Sequence, residues 1–311
     1  MKKIGNSSIF YEKYKPQCIE DVILPEALKQ SLIIQIQNKD IKNIGLFSDT
    51  PGTGKSTLAE VLLKELKCDA KWINASMDSG IDILRTEILR FASTSSSNDE
   101  LKVVVMDESD YLNVNSTQPA FRGFLDEFSK NCRFIFTGNY KEKLIEPLLN
   151  RLQIIDFNTF RKEEMVKPIF ERLKFILENE KIEYNQADLI PIINTYYPSI
   201  RGMIGAIQEC SITGKLVLNK LDDINVYDKI MKLVSPSYYL EMVKEVNELA
   251  SPDSLYTYAY KNASNYFSTA NYPKVILILA KYQHMSASVR DKSLNLCACL
   301  TELVPLANTS K

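Results

Sequence analysis

The sequence predicts an α/β domain built on a parallel sheet, then a small helical domain, then a second, all-helical domain. Three observations carry this. Short apolar runs alternate with helical periodicities up to Phe157, the pattern of strands buried on both faces by crossover helices. A glycine-containing loop joins the first run to a helix, and beyond Phe157 strand signals stop. The expected extents are 1–158, 159–230 and 231–311, with a linker over 220–235 marked by Asp222-Asp223 and the following Pro236.

In chain order, Tyr11-Glu12-Lys13-Tyr14-Lys15-Pro16 forms a polar, Pro-bounded lead-in to a helix near Glu26–Gln37. Ile44-Gly45-Leu46-Phe47 is the first strand, and Lys71-Trp72-Ile73-Asn74 the second. Ile81, Leu84, Ile88 and Phe91 recur at helical spacing before the Ser-rich stretch 93–98. A buried strand, Lys102 to Met106, ends on Asp107-Glu108, and Phe121, Phe124, Leu125 and Phe128 mark the next helix. Arg133–Asn139 and Gln153–Phe157 complete the sheet, and helices follow over 162–180, 186–196, 199–210 and from 237 onward.

Composition excludes several classes. With 311 residues, 45% hydrophobic and 25% charged, the chain reads as a globular protein of two or three domains. Its longest apolar run, Val275 to Ala280, is far too short to span a bilayer, so no membrane role is expected. No apolar region follows Met1-Lys2-Lys3, so no signal peptide is indicated and a cytoplasmic location is expected. Six cysteines without a C-x-x-C pair and a single histidine, His284, argue against zinc. A net charge of −1 means that any contact with nucleic acid would be a local patch.

The loop Asp49-Thr50-Pro51-Gly52-Thr53-Gly54-Lys55-Ser56-Thr57 sits between strand and helix, where a phosphate-binding P-loop belongs. Gly52 and Gly54 let the backbone curl so that N–H groups, including those of Thr53 and Thr57, converge on phosphate oxygens. Lys55 reaches the β- and γ-phosphates, and Ser56 is the expected hydroxyl ligand of Mg²⁺. The usual pattern starts on glycine where this chain has Asp49. Asp107 at a strand end completes a metal site, and Glu108 is placed to polarise water. Asn139, ending the next strand, emerges on the same edge. The competing readings are a Gly-rich turn, a solvated acidic turn and an ordinary Gly-Asn turn. The pairing of loop and acidic strand end favours nucleoside triphosphate hydrolysis.

On these residues, the chain resembles an AAA+ ATPase of the replication-factor-C clade. It is most similar to the large, ATPase subunit of tailed-bacteriophage sliding-clamp loaders. Glu12-Lys13-Tyr14-Lys15-Pro16 resembles the clade's adenine-site box, which implies base contacts at Tyr14, Pro16 and Val22. Asn74-Ala75-Ser76 and Gly80-Ile81-Asp82-Ile83-Leu84-Arg85 resemble its N-A-S-D and G-I-D-x-x-R segments, and Asn139 stands at sensor 1. Gln118 and Arg122 resemble the Q-x-x-x-R that couples DNA contact to the ATP site. Arg151, flanked by Asn150 and Leu152 instead of Ser and Cys, implies an arginine finger acting on the neighbouring subunit; taken alone, it reads as a surface arginine. Pro198-Ser199-Ile200-Arg201-Gly202 resembles the lid helix bearing sensor 2, with Arg201 toward the subunit's own γ-phosphate.

The resemblance implies ATP and Mg²⁺ as cofactors and an α/β P-loop (AAA+) domain, a helical lid and a helical collar. DNA contacts are implied near Ser79, Gly80, Arg85 and Asn115. The implied partners are a sliding clamp, a companion small clamp-loader subunit, primer–template DNA and copies of the chain in a pentameric ring, in a host cytoplasm if viral. The expected function is the ATP-hydrolysing motor of a clamp loader. The alternatives are an AAA+ replication initiator or helicase loader, a structural nucleotide-binding subunit, and a small P-loop kinase. No winged-helix or helix-turn-helix pattern follows Ser235, and no arginine-rich phosphoacceptor lid is seen.

Overall fold

A computed structural model describes residues 7–77, 81–94, 101–217, 222–249 and 252–307. The chain divides into two compact units at Val217/Leu218. The first holds five strands: β1 (Ile44–Phe47), β2 (Asp69–Asn74), β3 (Lys102–Asp107), β4 (Cys132–Gly138) and β5 (Gln153–Asp156). All pair in parallel in the order β2-β3-β4-β1-β5. Its helices are α1 (Phe10–Lys13), α2 (Glu26–Gln37), α3 (Lys55–Leu66), α4 (Ile81–Ser93), α5 (Thr117–Glu127), α6 (Glu146–Leu149), α7 (Lys162–Asn179), α8 (Leu189–Tyr196) and α9 (Ile200–Cys210).

The period-2 alternation of each strand builds two cores. Val104 and Met106 of β3 and Phe134 and Phe136 of β4 pack with Ile88 of α4 and Phe121, Phe124 and Leu125 of α5. The intervening Val103, Val105 and Ile135 pack on the other face with Leu58, Val61 and Leu62 of α3 and Leu32 of α2. Each such side chain contributes about 1.5–3 kcal/mol on burial, which fixes the register because a one-residue slip would expose the whole set. The strand ends then fall together. Phe47 lies opposite Gly138, and Asn74 opposite Asp107. Chain direction thus brings the loop after β1, the acidic end of β3 and the end of β4 to one sheet edge, where parallel sheets bind ligands.

Beyond β5, α7, α8 and α9 share buried Met165, Ile169, Leu173, Ile176, Leu189, Ile193, Met203 and Ile207. Together with the sheet they make up the first unit.

The second unit comprises α10 (Asp222–Lys232), α11 (Tyr239–Asn247), α12 (Asp253–Lys261), α13 (Ala263–Tyr266), α14 (Tyr272–Ser286) and α15 (Lys292–Leu303). Its core holds Tyr227, Ile230, Met242, Leu255, Tyr256, Val275, Leu296 and Leu300. One expectation is corrected here: the segment 220–235 is largely helix α10, not a linker. Aspartates open helices as readily as they interrupt them. The apolar spacing Tyr227, Ile230, Met231, Val234, all buried, was the stronger signal. No described helix is long and apolar enough to cross a membrane.

Candidate active site

At the shared sheet edge lies a cleft of about 430 Å³. Its lining includes the predicted Tyr14, Pro16, Val22, Gly52, Thr53, Gly54, Lys55, Ser56, Thr57, Asp107, Glu108, Asn139 and Arg201. Sequence positions 14 to 201 therefore converge on one site.

Gly54 has φ +108° and caps the N-terminus of α3; L side chains rarely adopt that conformation. Gly52, at φ +80°, meets a second demand: a Cβ there would lie 2.7 Å from Ser199 Oγ and 2.9 Å from Arg201 Cβ. The start of α9 is seated on the loop, and the Arg201 N–H donates to the Gly52 carbonyl at 3.0 Å. Ser199 caps α9 by accepting from the Gly202 N–H at 3.2 Å. Asp49 is exposed with no positive φ, and its N–H donates to Asn158 Oδ1 at 3.2 Å. That position accepts a side chain, so the missing first glycine leaves the loop intact.

Lys55 Nζ donates to Asn139 Oδ1 at 3.0 Å and to the Ser48 carbonyl at 3.2 Å. Burial lowers its pKa, while the charges of Asp110 and Asp107 oppose that shift. Ser56 Oγ donates to Asp107 Oδ1 at 3.2 Å, and Thr137 Oγ1 donates to the same oxygen. The pair of hard oxygen donors, Ser56 and Asp107, fits a hard divalent cation such as Mg²⁺. Glu108 adopts φ +54° and ψ +41°, a left-handed conformation costing about 1–3 kcal/mol in a non-glycine residue. Such strain concentrates at functional positions, and Glu108 lines the cleft. The Arg201 guanidinium lies 5.8 Å from the Tyr11 ring centroid. The cations Lys55 and Arg201 and the acids Asp107 and Glu108, among the charged groups of the lining, thus share the site with the Asn139 amide. This is the set phosphoryl transfer to water requires: charge neutralisation, a metal platform and a group to orient the nucleophile.

Other predicted residues lie elsewhere. Arg151 does not line the cleft. Its Nε and Nη2 each lie 2.9 Å from a different Asp126 oxygen, and Nη1 donates to the Pro147 carbonyl at 2.8 Å. Arg122 is exposed on α5. Gln118 is fully buried: Nε2 donates to the carbonyls of Leu112 (3.0 Å) and Lys143 (2.9 Å), and Oε1 accepts from Ile145 N–H (2.7 Å). It ties the segment after β3 to the segment after β4. Ser79, Gly80 and the Arg85 side chain lie outside the described residues. Asn115 precedes α5, which begins at Thr117, and the amides of Asn115 and Ser116 donate to Asn113 Oδ1 at 2.9 and 3.0 Å.

Sequence reasoning missed Thr137, which holds Asp107, and Arg172, which lines the cleft from α7. Thr137 lies within the strand, one residue before the end of β4, with no pattern of its own to mark it. Arg172 lay in an ordinary amphipathic pattern.

Residues 46–159 match the family described as ATPase family associated with various cellular activities (AAA). The replication factor C small subunit of Sulfurisphaera tokodaii is 32% identical over 76% of this chain and 70% of its own length. The sliding-clamp-loader large subunit of Enterobacteria phage T4 is 31% identical over 78% of this chain and 82% of its own. That of Escherichia phage RB69 is 32% identical over 67% of this chain and 66% of its own. Among solved structures, the Thermotoga maritima RuvB Holliday junction branch migration motor superposes with a TM-score of 0.55 over 72% of this chain and 80% of that one. At 17% identity it speaks for the fold alone.

Proposed function

Because the chain belongs to the AAA ATPase family, in the group of replication factor C small subunits and phage sliding-clamp-loader large subunits, we propose that it is the ATP-hydrolysing motor of a DNA polymerase sliding-clamp loader. The observation that carries this reading is a division of labour. The cleft gathers every group expected from the subunit itself, whereas Arg151 is held outside it by Asp126.

In that role the P-loop amides and Lys55 bind the phosphates, and Arg201 couples the seat of α9 to the γ-phosphate. Asn139 and Glu108 orient and polarise the attacking water. Mg²⁺ held by Ser56 and Asp107 would supply further charge neutralisation on the phosphates. Arg151 serves the neighbouring copy, where such a finger raises the rate by about 10³–10⁵. ATP-bound copies, with a companion small subunit, form a pentameric ring that opens the clamp and grips primer–template DNA. Hydrolysis across subunit boundaries releases both. The DNA path runs past Ser79, Gly80, Arg85 and the turn at Asn115, with Gln118 and Arg122 relaying contact to the cleft.

The test is the ATPase rate with and without primed DNA, the cognate clamp and the companion subunit. Joint stimulation by DNA and clamp is expected, and exchanging Arg85 for Glu should reduce the DNA part. Strong activity indifferent to both would make the protein a stand-alone P-loop ATPase.

A further inference from the structure

Two charged residues, Arg172 within α7 and Glu180 at its C-cap, reach the same stretch of chain. Arg172 is 7% exposed and lines the cleft. Its Nη2 donates to the backbone carbonyl of Asp21, and burial lowers its pKa against the favourable charge of Asp21. Glu180 is the C-cap of α7, where a carboxylate faces the negative end of the helix dipole and is disfavoured. Burial also works against its charge, yet hydrogen bonds from Lys13 and Tyr14 bring its pKa below the usual range. Lys13 Nζ lies 2.6 Å and the Tyr14 hydroxyl 2.5 Å from the same Glu180 oxygen.

Each residue breaks a local rule, one a cation buried in mid-helix and the other an acid at a helix C-terminus. Both reach the same stretch of chain. Tyr14 is 3% exposed, and its ring stands edge-on to Phe175 of α7 at 6.0 Å. The stretch 13–23 is therefore gripped by α7 at both ends, and Tyr14, Pro16, Val22 and Ile23 from it line the cleft. The phosphate-binding residues come from a different element, the loop after β1.

We propose that Arg172 and Glu180 are positioning residues that hold 13–23 as the base wall of the nucleotide cleft, and so set affinity and purine selectivity. The proposal rests on the cleft being an ATP site. It places the effect on binding more than on turnover, because neither residue approaches Lys55, Asp107 or Glu108 through any hydrogen bond among the described residues.

The experiment titrates N-methylanthraniloyl-ATP into the full chain, with unlabelled ATP and GTP as competitors. ATPase KM and kcat are measured in parallel for Arg172→Met, Arg172→Lys, Glu180→Ala and Glu180→Gln. Arg172→Met should weaken binding about tenfold, the equivalent of one charge-assisted hydrogen bond, and narrow the preference for ATP over GTP. Arg172→Lys should recover part of the loss. Glu180→Ala should shift KM more than kcat, and Glu180→Gln should restore much of it, because an amide oxygen still accepts from Tyr14. Unchanged affinity and purine ratio in folded Arg172→Met and Glu180→Ala would overturn the proposal, as would a loss confined to kcat. Should Arg172→Met fail to fold, the Glu180 pair decides by the same criteria. Folded wild type that binds no labelled ATP would instead sink the reading of the cleft, and this proposal with it.

Discussion

The cleft and the outer end of α5 place charge in opposite ways. In the cleft, Lys55 is largely desolvated and bonded to Asn139, while Ser56 and Thr137 both hold Asp107. At α5, Arg151 and Asp126 form a bidentate pair with solvent around them, and Arg122 beside them is exposed. A preorganised, partly dry site strengthens every electrostatic interaction within it, whereas an exposed pair contributes little and can be exchanged for another partner. The cleft is built to act where it stands. On the proposed function, Arg151 waits in an exposed pair from which release is cheap.

Four substitutions probe that contrast, from the largest expected effect to the smallest. Arg151→Ala should lower DNA- and clamp-stimulated hydrolysis by about 10³-fold or more, with labelled-ATP affinity retained; loss of binding instead would place Arg151 in its own cleft. Glu108→Gln should lower turnover by about 10²–10⁴ while ATP still binds, as single-turnover kinetics would show. Phe121→Ala, under the sheet, should cost about 3–5 kcal/mol in denaturant unfolding. Its ring is fully buried against Phe134 and Phe136. Asp126→Ala should leave denaturant unfolding nearly unchanged and hydrolysis stimulated; a collapse of stimulation would show that Asp126 is needed to aim Arg151.

The same contrast governs what could be read in advance. Lys55, Ser56, Asp107 and Asn139 stand at strand ends and in a glycine loop, where one-dimensional pattern maps directly onto the sheet edge. The second reason for Gly52, the seat of α9, was not legible because it joins residues about 150 positions apart. Arg172 and Glu180 were hidden for the same reason, since their partners Asp21 and Tyr14 lie in the lead-in segment. Asp222-Asp223 are ambiguous because the same residues begin helices and end them, whereas the apolar spacing Tyr227, Ile230, Met231 and Val234 is the helical signal.

On the proposed function, the cleft of one copy is completed by Arg151 of another. Mixing two inactive variants tests it most directly: Arg151→Ala, whose cleft is intact, with Glu108→Gln, whose Arg151 is intact. Assembled together with companion subunit, clamp and primed DNA, the mixture should hydrolyse ATP well above either variant assembled alone. A mixture no more active than its components, under conditions where mixed assemblies form, would contradict the account.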